Sequence, residues 1–189
     1  MTARSGGGGG GDKPWDEMTW DEVIAATKNG KYKNFEIGAM KELDLGTEGI
    51  VHMQIVGIDA DELADGSGKA PLTFISKESL NTSHGMNATN TSAGGWEASE
   101  MRAYLIDSVK PLIPANIALE IKTVKKYSYR KDTGVANAET TDDVWIPSAR
   151  EIFGGTNYET LGCFYDGVFM DTDSRIKHKT NKTDATYWW

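Results

Sequence analysis

A chain of 189 residues has room for one domain with a real core, plus a tail. Hydrophobic content of 39% and charged content of 25% fit a globular protein on the polar side, and a formal net charge of −8 argues against nucleic acid or anionic lipid as partner, since both need a basic surface. The single cysteine, Cys163, rules out an intrachain disulfide framework and a thiolate-rich metal site and reads as a stray buried thiol, and no stretch approaches the ~18 apolar residues of a membrane span.

The first five residues carry an arginine but no apolar run, so no secretory signal is predicted. Residues 6–11 are six consecutive glycines, which pay the largest backbone entropy on ordering, so residues 1–14 are predicted as a flexible tail or linker and 15–189 as a single domain. Thr19 and Glu22 stand in capping-box spacing, and Trp20, Val23, Ile24 and Thr27 share one side of a helix that Asn29-Gly30 closes. Residues 35–45 and 50–58 read as strands joined by Gly46-Thr47-Glu48-Gly49, a hairpin. In the second, Val51, Met53 and Ile55 alternate with His52, Gln54 and Val56, a dry face against a wet one. Another strand follows at 72–76. Residues 81–95, rich in Asn, Thr, Ser and Gly, are predicted as a long surface loop, and residues 97–108 as a helix with Trp96, Met101 and Leu105 turned inward. Residues 121–130 form the next strand, with Tyr127 and Tyr129 on one face, and lead into a polar loop around Asp132-Thr133-Gly134.

Residues 143–155 are the most specific local pattern. Val144 to Ile146 has the composition of a buried strand, which Pro147 ends because it has no amide hydrogen to give. Ser148 and Glu151 are in capping-box spacing, so a short helix begins at once, and Gly154-Gly155 stops it. Nothing in this corner is an obvious nucleophile, base or metal cage, and it reads as architecture. Near the end, Tyr187-Trp188-Trp189 is an aromatic run of the kind that fills a core or an interface.

Residues that suggest chemistry mostly fail its requirements. Gly66-Ser67-Gly68-Lys69 lacks both the earlier glycine and the hydroxyl of a phosphate loop. Asp59, Asp61 and Asp65 precede Gly66 as in a calcium loop, but Leu63 stands where a ligand is needed, so these acids read as solvated loop residues and no metal is expected. His52, His84 and His178 are scattered, without ligand or triad spacing. Four glycosylation-like triplets, at Asn81, Asn87, Asn90 and Asn181, read as chance without an export signal. Arg102 and Arg150 sit amid apolar residues, where a guanidinium is held by a carboxylate or by helix carbonyls, and are expected to be structural pins.

Three stretches together resemble a known family. Residues 20–26 (Trp-Asp-Glu-Val-Ile-Ala-Ala) with Gly30 form the first. Residues 43–49 (Leu-Asp-Leu-Gly-Thr-Glu-Gly), 51–55 and 60–68 form the second. The third runs from Gly94-Gly95-Trp96 and Met101-Arg102-Ala103-Tyr104-Leu105 to residues 139–148 and the corner. On these the chain resembles the DUF6273 family, bacterial domains that recur in prophage structural proteins and surface proteins of Firmicutes. The resemblance implies an α+β, C-type-lectin-like fold, with short helices flanking small, twisted, mainly antiparallel sheets. Members continue past the double tryptophan into a Leu-Arg-Ser stretch and further strands, so the domain is expected to lack its C-terminal strands here.

The resemblance implies a non-enzymatic binding or adhesion module of a phage or prophage tail-associated protein or a bacterial surface protein. Its ligand would be a cell-surface saccharide or protein, with Asn87, Asn90 and Trp96 as candidate contacts. No catalytic residue and no cofactor is expected. Trp20, Trp96, Arg102, Trp145, Pro147, Arg150, Gly154 and Trp188 are expected to be structural, with Trp145 and Trp188 buried between sheets. An alternative is a structural subunit completed by a neighbouring chain, with virion or oligomer contacts. An oxidase on a lectin-like scaffold is the last reading, and it would need a pair of cysteines where this chain has Cys163 alone. Without a signal peptide the protein is expected to be cytoplasmic on synthesis and, by the resemblance, virion-associated.

Overall fold

The chain's computed structural model describes residues 13–175, 177–178 and 185–186. The glycine run 6–11, Asn181 and Trp188 with its aromatic neighbours lie outside the described residues. The architecture is α+β, with small antiparallel sheets and a few short helices. Helix α1 (Trp20–Lys28) carries the predicted capping box in full: the Thr19 side chain accepts from the Glu22 amide, and the Glu22 carboxylate accepts from the Thr19 amide. Val23 and Ala26 are its buried residues.

Strands β1 (Met40–Asp44), β2 (Ile50–Ile58) and β3 (Leu72–Ser76) form an antiparallel sheet in that order, with Leu43 opposite Val51 and Met53 opposite Ser76. β1 begins five residues later than predicted. Gly38 takes a φ of 92°, which turns the chain before the strand can start, although Gly38 and Ala39 still exchange backbone hydrogen bonds with Ile55. A bulge between Ile55 and Gly57 re-aims the end of β2. As a result β2 serves two cores: Val51 packs with Leu43 and Leu45 beside Trp20, and Val56 packs with Ile152, Tyr165, Val168 and Phe169. The face predicted to be wet is therefore dry at Val56.

The predicted helix 97–108 is shorter at its start and irregular. α2 (Glu100–Tyr104), capped by Ser99, passes into a π-helical turn at Leu105–Val109. α3 (Ala115–Ala118) follows, and β4 (Val124–Arg130) then pairs with β5 (Val135–Asp142), Val124 opposite Asp142. The polar turn around Asp132-Thr133-Gly134 is present, β5 lies just beyond it where no strand was predicted, and residues 144–146 are not a strand. The ladder along β4 is already filled by residues 135–142, so 144–146 run past its end and pair with no strand among the described residues. They form a strap without regular secondary structure into α4 (Ala149–Phe153), whose Ser148–Glu151 capping box and left-handed Gly154 are both present. A last pair, β6 (Lys177–His178) and β7 (Ala185–Thr186), is antiparallel. No helix among the described residues is long and apolar enough to cross a membrane.

The two larger sheets are stitched together just beyond β2. Lys125 donates its amide to the Glu62 carbonyl at 2.8 Å, and Ala64 donates to the Thr123 carbonyl at 3.0 Å. That local pairing draws Asp61 inward against β4.

Candidate functional site

Val124 and Lys126 are two residues apart on β4, and both are buried. Strand periodicity therefore places a lysine on the interior face, where its charge must be matched. Lys126 Nζ lies 2.6 Å from Asp61 Oδ1 and 2.5 Å from Glu151 Oε1. Asp61 also accepts hydrogen bonds from Thr73 Oγ1 at 2.5 Å and from the Cys163 thiol at 3.1 Å. The Tyr165 hydroxyl stands 3.0 Å from both Asp61 Oδ2 and Glu151 Oε1, so it can donate to either carboxylate. The Trp145 ring covers the Lys126 ammonium with its centroid 4.0 Å away. Glu151 thus caps α4 with one carboxylate oxygen and faces this cluster with the other.

The electrostatics follow from burial opposed by pairing. Burial works against the Lys126 charge, but Glu151 and Asp61 outweigh it and hold the ammonium above its ordinary range. Burial likewise works against the Asp61 charge, and Lys126 with its hydrogen-bond donors outweighs it, holding the carboxyl low. Burial, then the Asp61 charge, pushes the Cys163 thiol up to about 12, and burial with the two carboxylates raises the Tyr165 phenol well above normal. No thiolate or phenolate is poised here near neutrality. Asp61, Glu151 and Cys163 bring ligand atoms within 4.8 Å of one another, but the Lys126 ammonium stands between the two carboxylates, where a cation would bind.

Above this cluster opens a cleft of about 280 Å³, walled by the 86–96 loop, Tyr127, Tyr129 and the strap from Trp145 to Ser148, with Lys126 and Glu151 in its floor. Trp145 is half-buried on the cleft wall, so the expectation that it is buried between sheets is corrected: the strap lies past the end of the β4–β5 ladder and lines the cleft. Pro147 lines the same wall. Tyr129 stacks on the exposed Tyr158, ring centroids 4.3 Å apart.

Of the candidate contacts, Asn87 lines the cleft and also ties its loop together, donating to the Thr91 carbonyl at 2.9 Å and accepting from the Glu100 amide. Trp96 is buried in the cleft floor, its Nε1 donating to Asp142 Oδ2 at 3.0 Å. Asn90 is exposed on the loop and does not line the cleft. Arg102 Nε donates to Asp142 Oδ1 at 2.6 Å and its Nη2 to the Thr141 carbonyl, joining α2 to β5. Arg150 Nε donates to the Gly162 carbonyl at 3.2 Å and its Nη1 to the Gly154 carbonyl. Trp20 Nε1 donates to the Glu42 carbonyl at 2.8 Å, with its ring edge-on to Phe74.

The three acids considered for calcium go separate ways. Asp59 accepts from the Tyr32 hydroxyl, Asp61 enters the buried cluster and Asp65 accepts from the Ser67 amide. His52 pairs with Glu78 at 2.8 Å, His84 stacks on Tyr104, and the His178 side chain is outside the described residues. Sequence reasoning missed Lys126 and Tyr165 altogether and saw Glu151 only as a cap. The signal that was present is Lys126 itself, in phase with Val124.

No curated protein and no solved structure matches this chain. Residues 72–189 match the family model described as Domain of unknown function (DUF6273). That span contains the third of the three resembling stretches, together with β3 to β5, the strap, α4 and every clustered side chain except Asp61, which lies upstream of it. With well over half of its length matched, the chain belongs to the DUF6273 family.

Proposed function

We propose that this chain is a non-enzymatic binding module, of the adhesion type borne by phage or prophage tail structures and bacterial surface proteins, and that its ligand seats in the cleft beside Trp145. The observation that carries the reading is the contrast within that cleft. Its walls present aromatic rings with amide and hydroxyl groups, among them Tyr129, Asn87 and Ser92, beside the exposed Lys131, while Lys126 and Glu151 in its floor are already matched. Aromatic faces with a few convergent hydrogen-bonding groups suit a cell-surface saccharide or a protein side chain. Repeated acid–base turnover on a bound substrate would instead need a group poised near neutrality, and Lys126, Cys163 and Tyr165 are all shifted away from it.

The phage or surface setting rests on the family resemblance. So does a C-type-lectin-like reading of the fold, which the short helices beside small antiparallel sheets support. A single domain over 15–189 behind the 1–14 segment belongs to the same proposal. The test is retention of the purified chain on bacterial cell-wall fractions, beside an unrelated acidic control protein. Retention above the control is expected, falling about tenfold in Trp145→Ala and in Tyr129→Ala with unchanged circular dichroism. Retention equal to the control sinks the reading, and binding unaffected by either substitution removes the cleft from it.

A further inference from the structure

The buried cluster holds the parts of a covalent bond as well as those of an ion pair. An amine and a carboxyl lie in contact, Lys126 Nζ to Asp61 Oδ1 at 2.6 Å, with a second carboxylate, Glu151, 2.5 Å from the same nitrogen. Their side chains are 7%, 2% and 4% exposed, so bulk water does not compete for the carboxyl carbon. Groups fixed at this separation react with an effective molarity far above that of free solutes. The other carboxyl oxygen, Asp61 Oδ2, is held by Thr73 Oγ1 at 2.5 Å and faces the Tyr165 hydroxyl at 3.0 Å. Those are the donors a tetrahedral oxyanion requires. Trp145 and Tyr165 put aromatic rings beside the nitrogen, and the amide that would replace the ion pair is neutral and needs no matching charge among them.

The geometry points to an intramolecular amide bond between Lys126 Nζ and Asp61 Cγ, formed by the chain itself, with Glu151 as the proton carrier. Glu151 takes a proton from the ammonium, and the freed lone pair attacks Cγ to form the C–N bond. Negative charge gathers on Oδ2, against Thr73 and Tyr165. When the tetrahedral centre collapses, the bond from Cγ to Oδ1 breaks. The two hydrogens lost from nitrogen pass through Glu151 to Oδ1, which departs as water. An ammonium and a carboxylate become one secondary amide and one water, and Glu151 ends as the carboxylate it began as. No oxidant or co-reactant enters the balance. Because the reaction starts from a stable ion pair, the first proton transfer is uphill, and the event is a slow single turnover. The bond would join the segment after β2 to β4, across the two larger sheets, and is independent of what the cleft binds.

Intact mass and peptide mapping of the purified, folded chain test this. The expected mass is one water below that of the sequence. Trypsin should release residues 42–69 joined to residues 126–130 as one branched species. Lys126→Arg keeps a cation but cannot form this amide, and Glu151→Gln keeps a capping-box side chain but cannot carry the proton. Both should fold by circular dichroism and show the full sequence mass. A wild-type chain at full mass after prolonged incubation at neutral pH overturns the proposal. So does a missing water mapped to a cyclic imide at Asp65-Gly66 or Asp166-Gly167 with the Lys126 peptide linear. Branched peptide at wild-type yield in Glu151→Gln overturns the role of Glu151.

Discussion

Cys163 shows how one neighbour can decide a residue's chemistry. Its thiol donates to Asp61, and burial followed by that negative charge pushes it up to about 12 from an ordinary 9.0. At pH 8 the folded chain should carry about a thousandfold less thiolate at this position than the unfolded chain, so maleimide labelling should be slow natively and prompt in denaturant. Rapid labelling of the native protein would show that the cluster is open. The same shift has a stability sign. Between pH 9 and 12 the unfolded thiol ionises while the folded one stays protonated, so this group's contribution to stability is lost as pH rises through that window. None of this was legible from a lone cysteine, because Asp61 is 102 positions away in the chain. What could be read was local: a guanidinium amid apolar residues needs an acceptor, and Arg102 finds Asp142. The partner itself depended on β5, which no apolar pattern announced.

At the scale of elements, the caps and the β1–β2 hairpin were legible and the β4–β5 pairing was not. The boxes at Thr19–Glu22 and Ser148–Glu151 are set by side chains three residues apart, so sequence spacing contains the whole interaction. β5 is set by its neighbour. Of its eight residues only Thr140 and Asp142 are buried, and both are polar groups matched by hydrogen bonds, so hydrophobic alternation is absent. The exit from α4 offers a quantitative test. Gly154 has φ 83°, and a Cβ there would meet the Phe164 ring at 3.3 Å. Gly154→Ala should therefore cost about 1–2 kcal/mol in chemical denaturation. Gly155 has φ 115°, and its Cβ would lie 2.8 Å from the Glu159 backbone carbonyl, which cannot swing aside as a side chain can. Gly155→Ala should cost more than Gly154→Ala. The reverse order would mean that the loop after α4 is softer than its contacts imply.

Across the whole molecule, the family match and the folding unit have different boundaries. The match begins at Leu72, the first residue of β3, yet β3 sits at the edge of a sheet whose centre is β2. Cutting there removes all three buried members of one core, Leu43, Leu45 and Val51, and takes Val56 from the other. It also takes Asp61 from Lys126, leaving a buried ammonium with one carboxylate, and takes His52 from Glu78. Breaking a buried pair by removing one partner costs about 3–5 kcal/mol, a large fraction of what a domain of this size has in reserve. A chain of residues 72–189 alone should therefore give poorly dispersed amide resonances and no cooperative unfolding transition, whereas residues 13–189 should give both. A fragment that melts cooperatively would mean that the sheet from β1 to β3 is an accessory to the family unit. The bulge at Ile55–Gly57 argues otherwise, because it turns the last residues of β2 into the core built by α4 and Tyr165, and so makes the upstream hairpin part of the structure that holds the cleft.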